Sequence, residues 1–138
     1  MNIKLIIFDF DGTIMDTKNT IIVAKQETLR QMELEVADEQ TCANTIGMPP
    51  KIGFQKLCPE LSEDMINLCV KRYREIFDEI KKVVPPVLFP DMVETLNKLK
   101  KKGIVCTIAT SRGRNSLIEF LESMGIMKYF SYILAAED

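Results

Sequence analysis

Histidine and tryptophan are both absent from this 138-residue chain. Without an imidazole, Ser–His–Asp and Cys–His mechanisms are closed to the chain acting alone, because each needs a ring nitrogen as base. Acid–base or nucleophilic work then falls to carboxylates, lysines, hydroxyls or thiols. Cysteine is sparse: Cys42, Cys58, Cys69 and Cys106 show no CxxC spacing. With no histidine to complete a ligand set, zinc is not expected, and reduced cytosolic thiols are the preferred reading. A net charge of −2 offers nothing to draw nucleic acid or an anionic membrane surface. No apolar run approaches the ~20 residues that span a bilayer. The N-terminus runs directly into a strand pattern, so no signal peptide and a cytoplasmic location are expected. No internal repeat or low-complexity segment is present.

The 46% hydrophobic and 28% charged content describes a globular protein with room for one domain, or a small domain carrying an insertion. "IKLIIF", residues 3–8, suits a strand buried on both faces of a parallel sheet. Gly12 breaks it, and Asp16 or Thr17 can cap a helix bearing Ile21, Ile22, Ala24, Leu29 and Met32. A second helix is expected around 38–46, followed by the turn-rich loop "IGMPPKIG". Ser62 reads as the N-cap of a helix with the stripe Met65, Leu68, Cys69, Ile76 and Ile80. "VVPPVLFP", residues 83–90, is a stiff extended connector. Asp91 with Glu94 resembles a capping box, and Gly103 a helix terminator. "IVCTIAT", residues 104–110, is a second buried strand, and a helix with Leu117, Phe120, Leu121 and Met124 follows, ended by Gly125. "YILAA", residues 132–136, reads as a third strand. Strand, helical insertion, helix, strand, helix, strand is the order of right-handed βαβ units in a parallel sheet.

Chemistry concentrates in "DFDGT", where the first strand ends in two aspartates one residue apart. An isolated pair of this kind is more often a cap or turn than a site. In a parallel sheet, however, ligands bind beyond the carboxyl ends of the strands, and Thr110 and Ser111 lie at such an end too. Residues two apart on an extended chain project to one side, so Asp9 and Asp11 can converge. One can serve as anionic nucleophile or metal ligand and the other as proton carrier. A hydroxyl at Thr110 and oriented amides in the turn after it complete a set suited to a magnesium-assisted phosphoryl group.

"FDFDGTIMDT" resembles motif I of the haloacid dehalogenase-like superfamily in its phosphatase form, and "TIATSRGR" resembles motif II. "LFPDMVETLNKLKKKGIVCTIATS" and "GIMKYFSYILAAED" look like the phosphoglycolate phosphatase-type subfamily, which also contains a β-phosphoglucomutase. The resemblance implies a Rossmann-like α/β core from residues 1–16 and 85–138, with an all-helical cap inserted at 17–84 and "IGMPP" as its substrate-facing loop. It implies that Asp9 attacks phosphorus, forms an aspartyl-phosphate and contributes an oxygen to Mg²⁺. Asp11 would handle the proton, while its backbone carbonyl binds the metal. Thr110, with the N–H groups of Gly12 and Ser111, would hold phosphate oxygens. A carboxylate at position 11 favours phosphate esters over dehalogenation. The implied substrate is a small phosphorylated metabolite; a sugar phosphomutase, a pyrophosphatase or a non-catalytic phosphate-binding relative uses the same scaffold. A receiver domain is disfavoured, since it would place its acceptor on a later strand.

Arg112 and Arg114 could contact a substrate anion, but solvated charges at a helix start are the plainer reading, as a surface lysine is for Lys51. Lys98, Lys100, Lys101 and Lys102 read as a solvated helix end. Cys106 reads as a small core residue. The superfamily's motif III lysine and motif IV acidic pair have no counterpart here, and Asp138 is not assigned to metal. The first strand should therefore form an apolar unpaired edge. A fragment, a truncated product or a swapped assembly is expected, with little turnover by these residues alone and self-association through that strand.

Overall fold

The computed structural model describes residues 2–138. In chain order its elements are Leu5–Phe8 (β1), Met15–Asp16 (β2), Lys18–Gln31 (α1), Glu39–Ala43 (α2), Pro50–Leu57 (α3), Glu63–Val83 (α4), Val87–Leu88 (β3), Met92–Lys101 (α5), Val105–Ala109 (β4), Arg114–Ser123 (α6) and Phe130–Leu134 (β5), with a 3₁₀ turn at Met127–Tyr129 before β5. The chain divides into two compact units. One joins the residues up to Asp16 to Val87–Asp138; the other is Thr17–Pro86.

In the first unit β1, β4 and β5 form a parallel sheet in the order β1-β4-β5, so β1 is an edge strand. β1 and β4 pair from Leu5 opposite Val105 to Phe8 opposite Ile108. β5 pairs with β4 after an irregularity that leaves Ser131 without a counterpart between Phe130 and Tyr132. Because the order β1, β4, β5 advances in one direction, right-handed connections set α5 and α6 on the same face. Ile108, Leu96, Leu117 and Leu121 are fully buried in this unit. The opposite face is bare. Paired residues in a parallel sheet point the same way, so Leu5, Ile7, Val105, Tyr132 and Leu134 share it, and all are exposed, Ile7 at 63% and Tyr132 at 65%. A strand buried on both faces was the expectation for residues 3–8; β1 is shorter, and with nothing over its outer face only Ile6 and Phe8 are half-buried. The third strand begins at Phe130 rather than Tyr132, because the 3₁₀ turn delivers the chain to the sheet two residues early.

Gly103 and Gly125 follow their helices at φ +69° and +68°, where a side chain would be strained. The capping box at Asp91 does not form. Asp91 is itself left-handed at φ 64°, makes no side-chain cap bond, and Glu94 turns instead to Lys98 at 2.7 Å. A left-handed residue is what turns the chain from Pro90 into α5. β2 and β3 are a two-residue antiparallel ribbon, Met15 opposite Leu88 and Asp16 opposite Val87. It is too short for a periodic signal, so "VVPPVLFP" shows only its prolines.

The helical unit packs α1 against α4, and α3 on α4, around Leu29, Phe54, Ile66, Cys69 and Tyr73. Ser62 caps α4 by accepting from Met65 N at 3.3 Å, and Asp38 caps α2 by accepting from Thr41 N at 2.7 Å. Part of the expected loop "IGMPPKIG" is helix: Pro50 opens α3 at its first position, where a missing N–H costs nothing. Lys25, 3% exposed, donates to the Thr45 hydroxyl, which donates on to the Cys42 carbonyl at 2.7 Å. Gly53 leaves room for that ammonium; a Cβ there would stand 3.3 Å from Lys25 Nζ.

All four cysteines are buried and unpaired with one another. Burial, with Glu60 adding, pushes the Cys58 thiol up to about 11, and burial raises the other three. Iodoacetamide at pH 8 should therefore modify the folded chain more than tenfold more slowly than the urea-unfolded chain, read by intact mass. Ile7→Ala, on the bare face, should change the unfolding free energy of the dilute, unassociated chain by no more than about 0.5 kcal/mol. Ile108→Ala, on the covered face, should cost about 2–5 kcal/mol in the same urea titrations.

Candidate active site

The parallel register decides where the chemistry-bearing residues fall. Phe8 lies opposite Ile108, so Asp9 leaves β1 level with Ala109, and Thr110 is one residue further along the neighbouring strand. Thr110 N donates to Leu134 O at 3.0 Å, which extends the β4–β5 ladder by one rung. Both segments thus emerge at the carboxyl edge of the sheet, where backbone ladders end and side chains face a ligand.

After β1 the chain folds into a tight turn. Thr13, Ile14 and Met15 N–H groups all donate to the Phe10 carbonyl at 3.0–3.2 Å. Asp11 forms an isolated bridge with Met15, and Gly12, at φ +82°, donates its N–H to Met15 O at 2.9 Å. The Gly12 amide that the motif resemblance gives to phosphate is therefore engaged within the turn. Glycine is needed there for its backbone angle.

Asp9 is exposed, and among the described residues its carboxylate accepts from Phe10 N at 2.8 Å. That contact fixes one oxygen and leaves the other to water or a ligand. Thr110 is half-buried; its oxygen accepts from Arg112 N at 3.1 Å, so its hydroxyl hydrogen can still be donated. Ser111 stands between them in sequence and is also half-buried.

Asp11 reaches this loop through a residue that sequence reasoning took for a solvated charge. Arg112 grips the Asp11 carboxylate with two bonds, Nε to Oδ2 at 3.1 Å and Nη2 to Oδ1 at 2.6 Å. The two side chains are only 10% and 12% exposed. Arg112 Nη1 donates to Ser116 Oγ at 2.7 Å, and its guanidinium carbon lies 5.6 Å from the Phe10 ring centre and 5.1 Å from that of Phe120. The expectation failed because no local pattern marks a partner 101 residues away. Arg114 is also paired, with Asp138, and Asp138 accepts from Ala135 N at 2.9 Å. Those backbone and guanidinium contacts hold the Asp138 carboxyl below its ordinary range. Lys51 pairs with Glu63 at 2.7 Å on the surface of the helical unit, and Cys106 is a buried strand residue.

The donors suit a hard cation in kind: an exposed carboxylate at Asp9 and the carbonyl of Asp11 are oxygen ligands of the type Mg²⁺ takes with several waters. Among the described residues no cluster of three Asp, Glu, Cys or His side chains is placed to hold a metal. Among the described residues no helix is long and apolar enough to cross a membrane.

Known proteins resemble this chain in sequence and in fold. The chain is 33% identical to IndB of Dickeya dadantii, described as a probable phosphatase, over 96% of the chain and 59% of that protein. It is 27% identical to a phosphoglycolate phosphatase of Salmonella typhimurium over 99% of the chain and 62% of that protein. A haloacid dehalogenase-like hydrolase of Streptococcus pneumoniae superposes with a TM-score of 0.82 at 26% identity, covering 96% of this chain and 61% of the other. The chain thus spans about 60% of the length of these relatives. Residues 6–138 match the family described as haloacid dehalogenase-like hydrolase, and the chain belongs to that family.

Proposed function

We propose that the chain carries the amino-terminal catalytic half-site of a magnesium-dependent phosphatase acting on small phosphate monoesters. The observation that supports this reading most directly is the β1–β4 register, which sets Asp9 beside Thr110 at one sheet edge while Arg112 ties Asp11 to the same loop. In this reading an Asp9 oxygen bonds to phosphorus as the ester P–O bond breaks, and Asp11 gives its proton to the leaving oxygen. Water then attacks the aspartyl-phosphate and passes a proton to Asp11 as phosphate leaves, which restores the Asp9 carboxylate and the protonated Asp11. Thr110 and the Ser111 amide hold the phosphate oxygens. Asp9 and the Asp11 carbonyl would hold Mg²⁺, which supplies positive charge against the phosphate when bound. In this reading residues 17–84 are the cap, with residues 46–50 as its substrate-facing loop, and the protein works in the cytoplasm.

Two aspartates leave the metal and the phosphate with fewer charged partners than this chemistry rewards, so turnover by the 138-residue chain is slow. With Mg²⁺ and p-nitrophenyl phosphate, the expected result is measurable hydrolysis that EDTA abolishes and that Asp9→Asn lowers by at least about a thousandfold. Intact-mass analysis during turnover should find one phosphoryl group on the wild type and none on Asp9→Asn. Hydrolysis undiminished by Asp9→Asn would sink the assignment. Products separate the family's other activities: transfer to a sugar hydroxyl marks a mutase, and a preference for pyrophosphate marks a pyrophosphatase.

The exposed row Leu5, Ile7, Val105, Tyr132 and Leu134, beside an edge strand, supports self-association of the chain through β1. Sedimentation should show a concentration-dependent dimer that Ile7→Lys dissociates. A monomer at every concentration refutes it.

A further inference from the structure

Arg112 stands out in the sheet unit as a nearly buried guanidinium with three separate anchors. Its fork occupies both oxygens of Asp11, its remaining nitrogen is held by Ser116, and its flat face lies against Phe10 and Phe120. The Arg112 carbonyl is also tied down, accepting from Ala136 N at 2.9 Å, and its amide donates to Thr110 Oγ1. A surface arginine caught in one pose would show one of these contacts. Four elements converge here: the turn after β1, the loop after β4, α6, and the chain after β5.

We propose that Arg112 is a positioning residue that sets the Asp11 carboxylate for proton transfer at the reacting phosphate. The inference rests on the phosphatase reading given above. A two-pronged contact fixes a carboxylate in its plane and in its direction, which a single bond or a lysine ammonium cannot do. Each carboxylate oxygen has two lone pairs, so a fork that engages one on each leaves one on each oxygen free for a further hydrogen bond. Placement matters because proton transfer needs the carboxyl within hydrogen-bond reach of the leaving oxygen, and a 1 Å error is costly. Asp11 lies in a turn with a glycine after it, and its own backbone bridge does not fix its side-chain torsions. Arg112 supplies that restraint from the opposite segment, and Ser116 holds Arg112 in turn.

The test uses leaving groups. A nitrophenolate departs without a proton, whereas an alkoxide needs one, so a misplaced Asp11 damages alkyl phosphates selectively. Wild type, Arg112→Lys, Ser116→Ala, Asp11→Asn and Asp11→Asn/Arg112→Lys are compared on p-nitrophenyl phosphate and glycerol phosphate with Mg²⁺, each with a thermal melt. Arg112→Lys should lose at least ten times more kcat/KM on glycerol phosphate than on the aryl ester. Ser116→Ala, which leaves the charge in place, should show the same bias to a smaller degree should Arg112→Lys fold poorly. In the Asp11→Asn background Arg112→Lys should show no bias between substrates. Equal losses on both esters, a bias that persists without the Asp11 carboxylate, or a wild type that cleaves only the aryl ester each overturn the proposal. A wild type that cleaves neither and acquires no phosphoryl group at Asp9 removes the phosphatase reading itself, and this inference with it.

Discussion

Parallel pairing of β1 with β4 is the constraint on which the candidate site depends. The two segments pair residues 100 apart in sequence, Leu5 with Val105 through Phe8 with Ile108, and their register leaves no freedom about which side chains share the carboxyl edge. A slip of one residue would turn every β1 side chain to the other face and carry Asp9 away from Thr110. Several local devices secure what the register begins. The Phe10 carbonyl gathers three amides, Gly12 adopts a left-handed angle, and Thr110 adds a rung to β5. None of them creates the site, but each limits where its parts can drift.

The same strand order has a second effect on packing. Two right-handed connections that advance in one direction cover a single face, so the sheet is a two-layer structure with an apolar row left in contact with water. Relatives of the chain are longer, the chain reaching 59% of the length of one and 62% of another. Covered strands of parallel sheets are apolar on both sides, and residues 3–8, apolar except for Lys4, nearly have that character. In this structure only half of that character is put to use.

Much of the sheet unit was legible in the sequence. The three sheet strands, the order of elements and the two glycine terminators at 103 and 125 rest on local rules that tertiary contacts reinforce. The DFDGT string pointed to a candidate site only together with the later strand ending at Thr110, since an aspartate pair alone is more often a cap or turn. What stayed hidden was non-local or short. The ribbon at Met15–Asp16 and Val87–Leu88 is below the length at which alternation can be seen. Asp91 looked like a cap because its spacing to Glu94 is right, yet the chain's direction after Pro90 demanded a left-handed residue. Arg112 is a cation whose partner comes from a distant position, so its charge alone read as surface. Charged residues are read as exposed by default, and the exceptions are those the fold has paired.

The ribbon of β2 and β3 also marks where the helical unit is inserted in the chain. Its two strands take the chain out after Asp16 and bring it back at Val87 on neighbouring rungs. A detour whose ends are already clasped is thermodynamically permissive: doubling its length adds only about 0.6 kcal/mol of closure entropy. Such a junction works as a socket. Inserts of different size or shape can be exchanged there over evolutionary time, giving new selectivity to an unchanged scaffold.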